Sequence, residues 1–319
     1  MSNLSIAYAM PWGIFSMEDD SERISVVIST KNRVLELRRC IGSIVSQTRI
    51  PDELVVIDAG NIKNTEDFFG PFRSVLSIRY VSFPVGLTTA RNRGVLESTG
   101  EIILFLDDDT ELEPDYMENL LDVFSADYQH QVGGVSGKII ESEGLHLSFR
   151  KRVRYAGRKM IGRLFFLPVE RDGRFQPAGF PTTPPEDARD VMKVECLYGA
   201  NMAFRREVLR KYPFDETLDG YSFMEDDDIA SRVSREYTNL YTPHARLRHF
   251  ESPVSRNREF LQKKMLVKNY HYLFRKNFPY VVSRRTAFWW SILGLIITDI
   301  MVLNPEGIRG LIAGIHEIV

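Results

Sequence analysis

Cysteine is nearly absent from this 319-residue chain: only Cys40 and Cys196 occur, both among apolar neighbours. That excludes a disulfide scaffold and a cysteine-ligated zinc site, and it fits a reduced, intracellular setting. Long apolar runs are also missing. The most apolar stretch, 287–303, holds 17 residues including Asp299, short of the roughly 20 that span a bilayer. The first 22 residues carry Pro11, Glu18, Asp19 and Asp20 instead of a basic segment followed by an apolar one. No secretory signal is therefore expected, and 1–22 reads as a weakly ordered lead-in. There is no Gly-X-X-X-X-Gly-Lys phosphate loop and no internal repeat, and the net charge is only -2, so neither a P-loop enzyme nor a strongly basic nucleic-acid binder is indicated.

What is present is an alternation of strand and helix patterns. Ile24 to Ser29 and Glu53 to Asp58 are short β-branched runs, and Ile78 to Ser82 is a third. Between the first two, Val34, Leu37, Cys40, Ile41, Ile44 and Val45 recur at helical spacing. A helix at 88–98 follows Gly86, and Ile102 to Leu106 forms a fourth apolar strand. Strand and helix in turn over the first hundred residues predict a doubly wound, Rossmann-like α/β domain with a mostly parallel sheet flanked by helices. A helix beginning near Pro114, a strand near Val132 to Ile140, an irregular basic and Pro-rich stretch over 141–190, and order resuming at Val191 complete the domain to about residue 255.

The fourth strand ends in three carboxylates, Asp107, Asp108 and Asp109. Open α/β sheets keep their ligands at the carboxyl ends of strands, and hard oxygen donors favour Mg²⁺ or Mn²⁺. Standing alone, an acidic triplet of this kind is more often a solvated turn than a metal site. A second cluster, Glu225-Asp226-Asp227-Asp228, opens a helical pattern, where acidic residues also serve simply to favour a helix N-terminus. Downstream lies the strand-like Arg246-Leu247-Arg248-His249-Phe250.

In this order the motifs resemble the inverting nucleotide-sugar glycosyltransferases of family 2, with a GT-A type fold, over about residues 24–250. VVISTKNR (26–33) is similar to that family's first strand and nucleotide loop, and VVIDAG (55–60) to its second strand ending in a base-contacting Asp. GLTTARNRG (86–94) is similar to its donor-holding segment, FLDDDT (105–110) to its Asp-X-Asp element, and EDDDIASR (225–232) to its acceptor-site element, with Ile229 where Leu is usual. The resemblance implies that Asp58 reads the nucleobase with Thr30 and Asn32 nearby, and that Arg91 and Asn92 help hold the donor. It implies a ribose or metal contact for Asp107, with Asp108 also on the donor side. Asp109 would bind the cation bridging the diphosphate, and His249 would complete its shell. Asp226 would be the general base, with Glu225 orienting it or sharing the acceptor site. Ala59-Gly60-Asn61 departs from the family's more usual Asn-Ser-Ser type sequence, which leaves the donor base open.

The expected reaction is metal-dependent transfer of a sugar from a nucleoside-diphosphate donor to a hydroxyl of a glycan or lipid-linked acceptor, in glycan or cell-surface polysaccharide assembly. Paired carboxylates at strand ends also occur in metal-dependent nucleotidyl or phosphoryl transferases, and an inactive membrane-bound scaffold of the same fold is a further alternative. Residues 256–319 are a separate material. Nine Lys or Arg stand against one acid in 256–285, interleaved with Tyr270, Tyr272, Phe274, Phe278 and Tyr280, before Phe288-Trp289-Trp290 opens the apolar stretch. Tryptophans at headgroup depth beside basic groups suit a helical extension lying on anionic lipid. Peripheral or monotopic attachment at the cytoplasmic face of the cell membrane is the expectation, with no nucleic-acid partner.

Overall fold

The computed structural model describes residues 22–140, 160–169, 171–185, 187–218, 223–250 and 259–319. The expected lead-in, apart from Glu22, and residues 141–159 of the irregular basic stretch lie outside the described residues. The first half follows the alternation read from the sequence: β1 (Ile24–Thr30), α1 (Val34–Val45), β2 (Glu53–Asp58), α2 (Thr65–Arg73), β3 (Ile78–Ser82), α3 (Leu87–Glu97) and β4 (Ile102–Asp107). Then come β5 (Thr110–Leu112), α4 (Tyr116–Ser125), β6 (Val132–Ile140), β7 (Met192–Val194), β8 (Asn201–Arg205), α5 (Arg206–Lys211), α6 (Glu225–Val233) and β9 (Thr238–His249). Three helices close the chain: α7 (Glu259–Asn277), α8 (Val282–Met301) and α9 (Pro305–His316).

The nine strands form one sheet in the order β3-β2-β1-β4-β8-β6-β9-β5, with β7 paired to β9. The α/β architecture is as expected, but the sheet is mixed. β1, β2, β3 and β4 run parallel, whereas β8 lies antiparallel to both β4 and β6, and β5 and β7 lie antiparallel to β9. The chain leaves β1 in one direction to β2 and β3, then returns to β4 on its other side. That reversal opens a crevice at the carboxyl ends of β1 and β4, where such sheets hold ligands.

Side chains alternate across the sheet. Ile24, Val26 and Ile28 of β1 and Ile102, Leu104 and Leu106 of β4 face one core, shared with α1, α2 and α4. Val27, Ile103 and Phe105 face a second core, shared with α3, α5 and α6. Burial on both faces is why these strands read as unbroken apolar runs. On the second face α3 lies so close to β1 that a Cβ on Gly94 would meet Val27 Cγ1 at 2.2 Å. Alanine in a helix interior is worth about 1 kcal/mol over glycine, but overpacking costs about 1–3 kcal/mol, and the β-branched Val27 has little rotamer freedom to retreat. Gly94→Ala is expected to lower the urea midpoint. An unchanged midpoint would show that α3 lifts off β1 at no cost.

A third core joins α7, α8 and α9 to the segment 165–180 and to Leu218 and Met224. Tyr270, Phe274 and Phe288 supply its aromatic centre, with Phe180 stacked on Tyr270 at 3.8 Å. Polar contacts tie α7 to α6: Asn277 Nδ2 donates to Asp228 Oδ1 at 2.9 Å, and Lys276 Nζ lies 2.9 Å from the same oxygen. Asn304 caps α9, accepting from Gly307 N at 3.0 Å, and Pro305 sits in its first turn as the sequence pattern requires. No helix among the described residues is long and apolar enough to cross a membrane.

Candidate active site

β4 delivers Asp107 at the end of a buried strand, and Asp108 and Asp109 occupy the turn into β5. β5 is too short to show in the periodicity, yet it sets the site. It pairs antiparallel with β9 so that Thr110 lies opposite His249, and Phe250 N donates to Asp109 O at 2.9 Å. This register carries a residue 140 positions later into the acidic turn. His249 Nε2 lies 3.0 Å from Asp109 Oδ1 and 3.8 Å from Asp107 Oδ2. Asp107, Asp109 and His249 thus offer ligand atoms that all lie within 4.8 Å of one another.

The three carboxylates have different environments. Although burial works against its charge, hydrogen bonding and attraction from His249, with Arg33 beside it, hold the Asp109 carboxyl below the usual carboxylate range. Desolvation raises Asp107 despite the nearby Arg91 guanidinium. Asp108 is pushed up to about 6 by burial, partly offset by Thr30 and Arg33. Its side chain turns away from His249: Oδ2 accepts from Thr30 Oγ1 at 2.6 Å and Oδ1 from Arg33 Nη1 at 3.0 Å. Thr30 and Asp108 therefore bond to each other and fix β1 to the acidic turn. Arg33 Nη1 also donates to Asp109 at 2.9 Å, a role that went unread in VVISTKNR because an arginine opening a helix carries no signal of its partners.

Arg91, only 3% exposed, spans the two acidic clusters. Its Nη1 donates to Glu225 Oε1 at 2.6 Å, while Nη2 reaches Gly199 O at 2.9 Å and Asp107 Oδ1 at 3.3 Å. Gly199 N in turn donates to Asp226 Oδ2 at 2.9 Å. A Cβ on Gly199 would lie 2.7 Å from that oxygen, so the carboxylate seats against bare backbone. Met224, with φ 73, makes the sharp entry into α6 that aims Glu225 and Asp226 at the cleft. Desolvation, together with like charge between neighbours, raises the Glu225 carboxyl; desolvation raises Asp226, and Arg91 opposes both shifts.

The remaining sequence-named residues are held differently. Asp58 is fully buried and accepts from Gly60 N at 2.6 Å, Ile62 N at 3.0 Å and Tyr80 Oη at 2.9 Å, so its carboxylate shapes the loop after β2. Asn32 faces that loop from the end of β1 with φ 58, a left-handed conformation that Asn tolerates. Asn92 is turned about 100° round α3 from Arg91 and leaves the cleft. Its amide donates to Phe214 O and Glu216 and its carbonyl accepts from Phe214 N, tying α3 to the segment before α6.

Two carboxylates and one imidazole, with Asp107 and His249 partly exposed, suit a divalent cation of the Mg²⁺ or Mn²⁺ type. The fold has solved neighbours. It superposes on the mannosyltransferase PcManGT from Pyrobaculum calidifontis in complex with GDP-Man and Mn²⁺ with a TM-score of 0.54 at 14% identity, covering 93% of this chain and 74% of that one. GalNAc-T7 with UDP, GalNAc and Mn²⁺ matches with a TM-score of 0.56 at 17% identity, over 91% and 59%. These likenesses place the fold among the GT-A glycosyltransferases. The sequence narrows the class: the chain belongs to glycosyl transferase family 2, whose profile it matches over residues 25–212. It is 23% identical over 274 residues to the glucosyl-dolichyl phosphate glucuronosyltransferase of Haloferax volcanii, covering 84% of this chain and 74% of that protein. Glycosyltransferase GlyA of Streptococcus pneumoniae is 31% identical over 127 residues, 39% of this chain but only 18% of the pneumococcal protein.

Proposed function

We propose that the chain is a divalent-cation-dependent, inverting glycosyltransferase that moves a sugar from a nucleoside-diphosphate donor to a hydroxyl acceptor. The observation that carries this reading is the Arg91–Gly199 bridge, which sets a cation-type ligand set on one side and the Asp226 carboxylate on the other. Asp107, Asp109 and His249 would hold the cation, which as a Lewis acid would neutralise charge developing on the departing diphosphate. Asp226 takes the proton of the acceptor hydroxyl, and desolvation makes it a stronger base than an ordinary aspartate. Glu225, locked to Arg91, keeps the guanidinium from collapsing onto Asp226. The loop shaped by Asp58, with Asn32 opposite, forms the wall for the nucleobase. Attack from the Asp226 side, opposite the diphosphate, gives inversion.

The acceptor in this reading is a glycan or lipid-linked hydroxyl, met with the chain held peripherally at the cytoplasmic face of a membrane through 256–319. Two buried, unpaired cysteines suit that reducing side. The neighbours' GDP-Man, UDP and Mn²⁺, and the glucosyl-dolichyl phosphate in the name of the Haloferax volcanii relative, support the choice of chemistry.

The test is hydrolysis of UDP-, GDP- and dTDP-sugars with Mg²⁺ or Mn²⁺, read beside melting curves. A nucleoside diphosphate plus Mn²⁺ at about a hundred times its Kd should stabilise the native state by about 2.7 kcal/mol and raise Tm by roughly 5 °C. If no nucleotide raises Tm in a cation-dependent way and no donor is hydrolysed, the proposal fails.

A further inference from the structure

The C-terminal helices present a surface that their own core does not use. α8 packs Phe288, Ser291 and Ile292 inward, while Val282, Trp289, Leu293 and Ile300 are exposed at spacings that keep them on one side of the helix. The stripe runs the full helix, about 30 Å at 1.5 Å per residue. It ends in four consecutive exposed apolar residues, 300–303, of which Leu303 is 87% exposed at a left-handed turn with φ 55. Runs of this kind on a water-facing surface go with a binding role.

At the other end of the stripe lie three arginines. Arg275 and Arg285 converge on the exposed Tyr280 ring, at 5.3 and 4.9 Å from its centroid, and Arg284 lies 5.4 Å over Phe278. None of the three has a carboxylate partner among the described residues, whereas Lys263, Lys264, Lys268 and Lys276 on α7 are all paired. Trp290 spends its indole N–H on Leu164 O, but the half-exposed Trp289 has no such acceptor among the described residues. An apolar stripe with a half-exposed tryptophan, and a cationic end without carboxylate partners among the described residues, is complementary to one kind of partner.

We propose that this face docks on an anionic lipid bilayer, with α8 lying in the interface, the 300–303 tip and Leu293 entering the acyl region, and Arg275 and Arg285 meeting lipid phosphate, while Arg284 stays over Phe278 on the inward side. The proposal deepens the peripheral-membrane part of the reading above and identifies the surface and the lipid charge. A second copy of the chain fits less well. A two-fold contact would set the arginines against the same cluster or against the apolar tip, and neither supplies a carboxylate.

The experiment is flotation of the full chain with vesicles of phosphatidylcholine alone or of equimolar phosphatidylcholine and phosphatidylglycerol. Binding is expected only to the anionic vesicles, weakening with salt. Arg275→Gln/Arg285→Gln should weaken it roughly thirtyfold, from about one kcal/mol per basic residue, and Leu293→Asp should abolish it. Cation-dependent donor hydrolysis should be unchanged in both variants, which separates this proposal from the catalytic one. Absence of anionic-vesicle binding by the parent chain, equal binding by the double arginine variant, or a dimer in sedimentation that Leu293→Asp dissociates while no vesicle is bound, would each overturn it.

Discussion

Asp226→Asn is expected to reduce sugar transfer by about 10²–10⁴-fold, the usual contribution of a positioned general base, while nucleotide binding with Mn²⁺ persists. The separation follows from geometry. Asp226 sits on α6 and is seated by Gly199 N, whereas the cation-type ligands come from β4, the acidic turn and β9. Asparagine keeps the size and an oxygen for Gly199 N but cannot take a proton. The pH profile gives an independent reading. A base works only when ionised, and desolvation raises the Asp226 carboxyl. Activity of the parent chain should therefore fall on acidification at a pH above the ordinary carboxylate range, through a limb that the residual activity of Asp226→Asn lacks. A variant that retains normal turnover, or that loses nucleotide binding along with transfer, would remove Asp226 as the base.

The acidic clusters were legible because chemistry and pattern coincide in them. Asp107 to Asp109 end an apolar strand, and Glu225 to Asp228 open a helix after a distant glycine. His249 was named by its motif, but its distance from Asp109 depends on the pairing of Thr110 with His249, and three-residue β5 leaves no period to read. The mixed character of the sheet was hidden for a related reason. β8 is as fully buried as the parallel strands β1, β2 and β4, and strand direction depends on connections, not on composition. Helix α2 escaped notice because Gly70 and Pro71 lie inside it, residues that ordinarily mark a break. Packing offsets that propensity cost: buried Phe69 meets Tyr80 of β3, and buried Phe68 lies under Arg38 of α1. Asp58 shows the limit most clearly. The sequence offers a strand-terminal aspartate, but only the fold shows its carboxylate satisfied by Gly60, Ile62 and Tyr80.

Arg91 is where the largest loss of stability is expected. Removing one partner of a buried pair costs about 3–5 kcal/mol because the other charge remains without compensation, and Arg91→Met strands Glu225 and weakens the hold on Asp107. In a chain of this size that is a fall in Tm of roughly 5–7 °C. Lysine should rescue little, since a single ammonium cannot place donors on Glu225, Gly199 and Asp107 together. Arg91→Met/Glu225→Gln should recover much of the stability, because a neutral pair is not a buried charge, yet transfer should stay low. The pH dependence has a defined sign. Without Arg91 the Glu225 carboxyl, already raised by desolvation and Asp226, rises further, so the folded form binds a proton that the unfolded chain releases. Stability of Arg91→Met should therefore be greatest at acid pH and decline as pH rises through the raised pKa, a slope that the double variant keeps only in the part contributed by Asp226 and Asp107. If denaturant midpoints of Arg91→Met match those of the parent at both acid and neutral pH, Arg91 is not the counter-charge that lets two acidic clusters share one cleft.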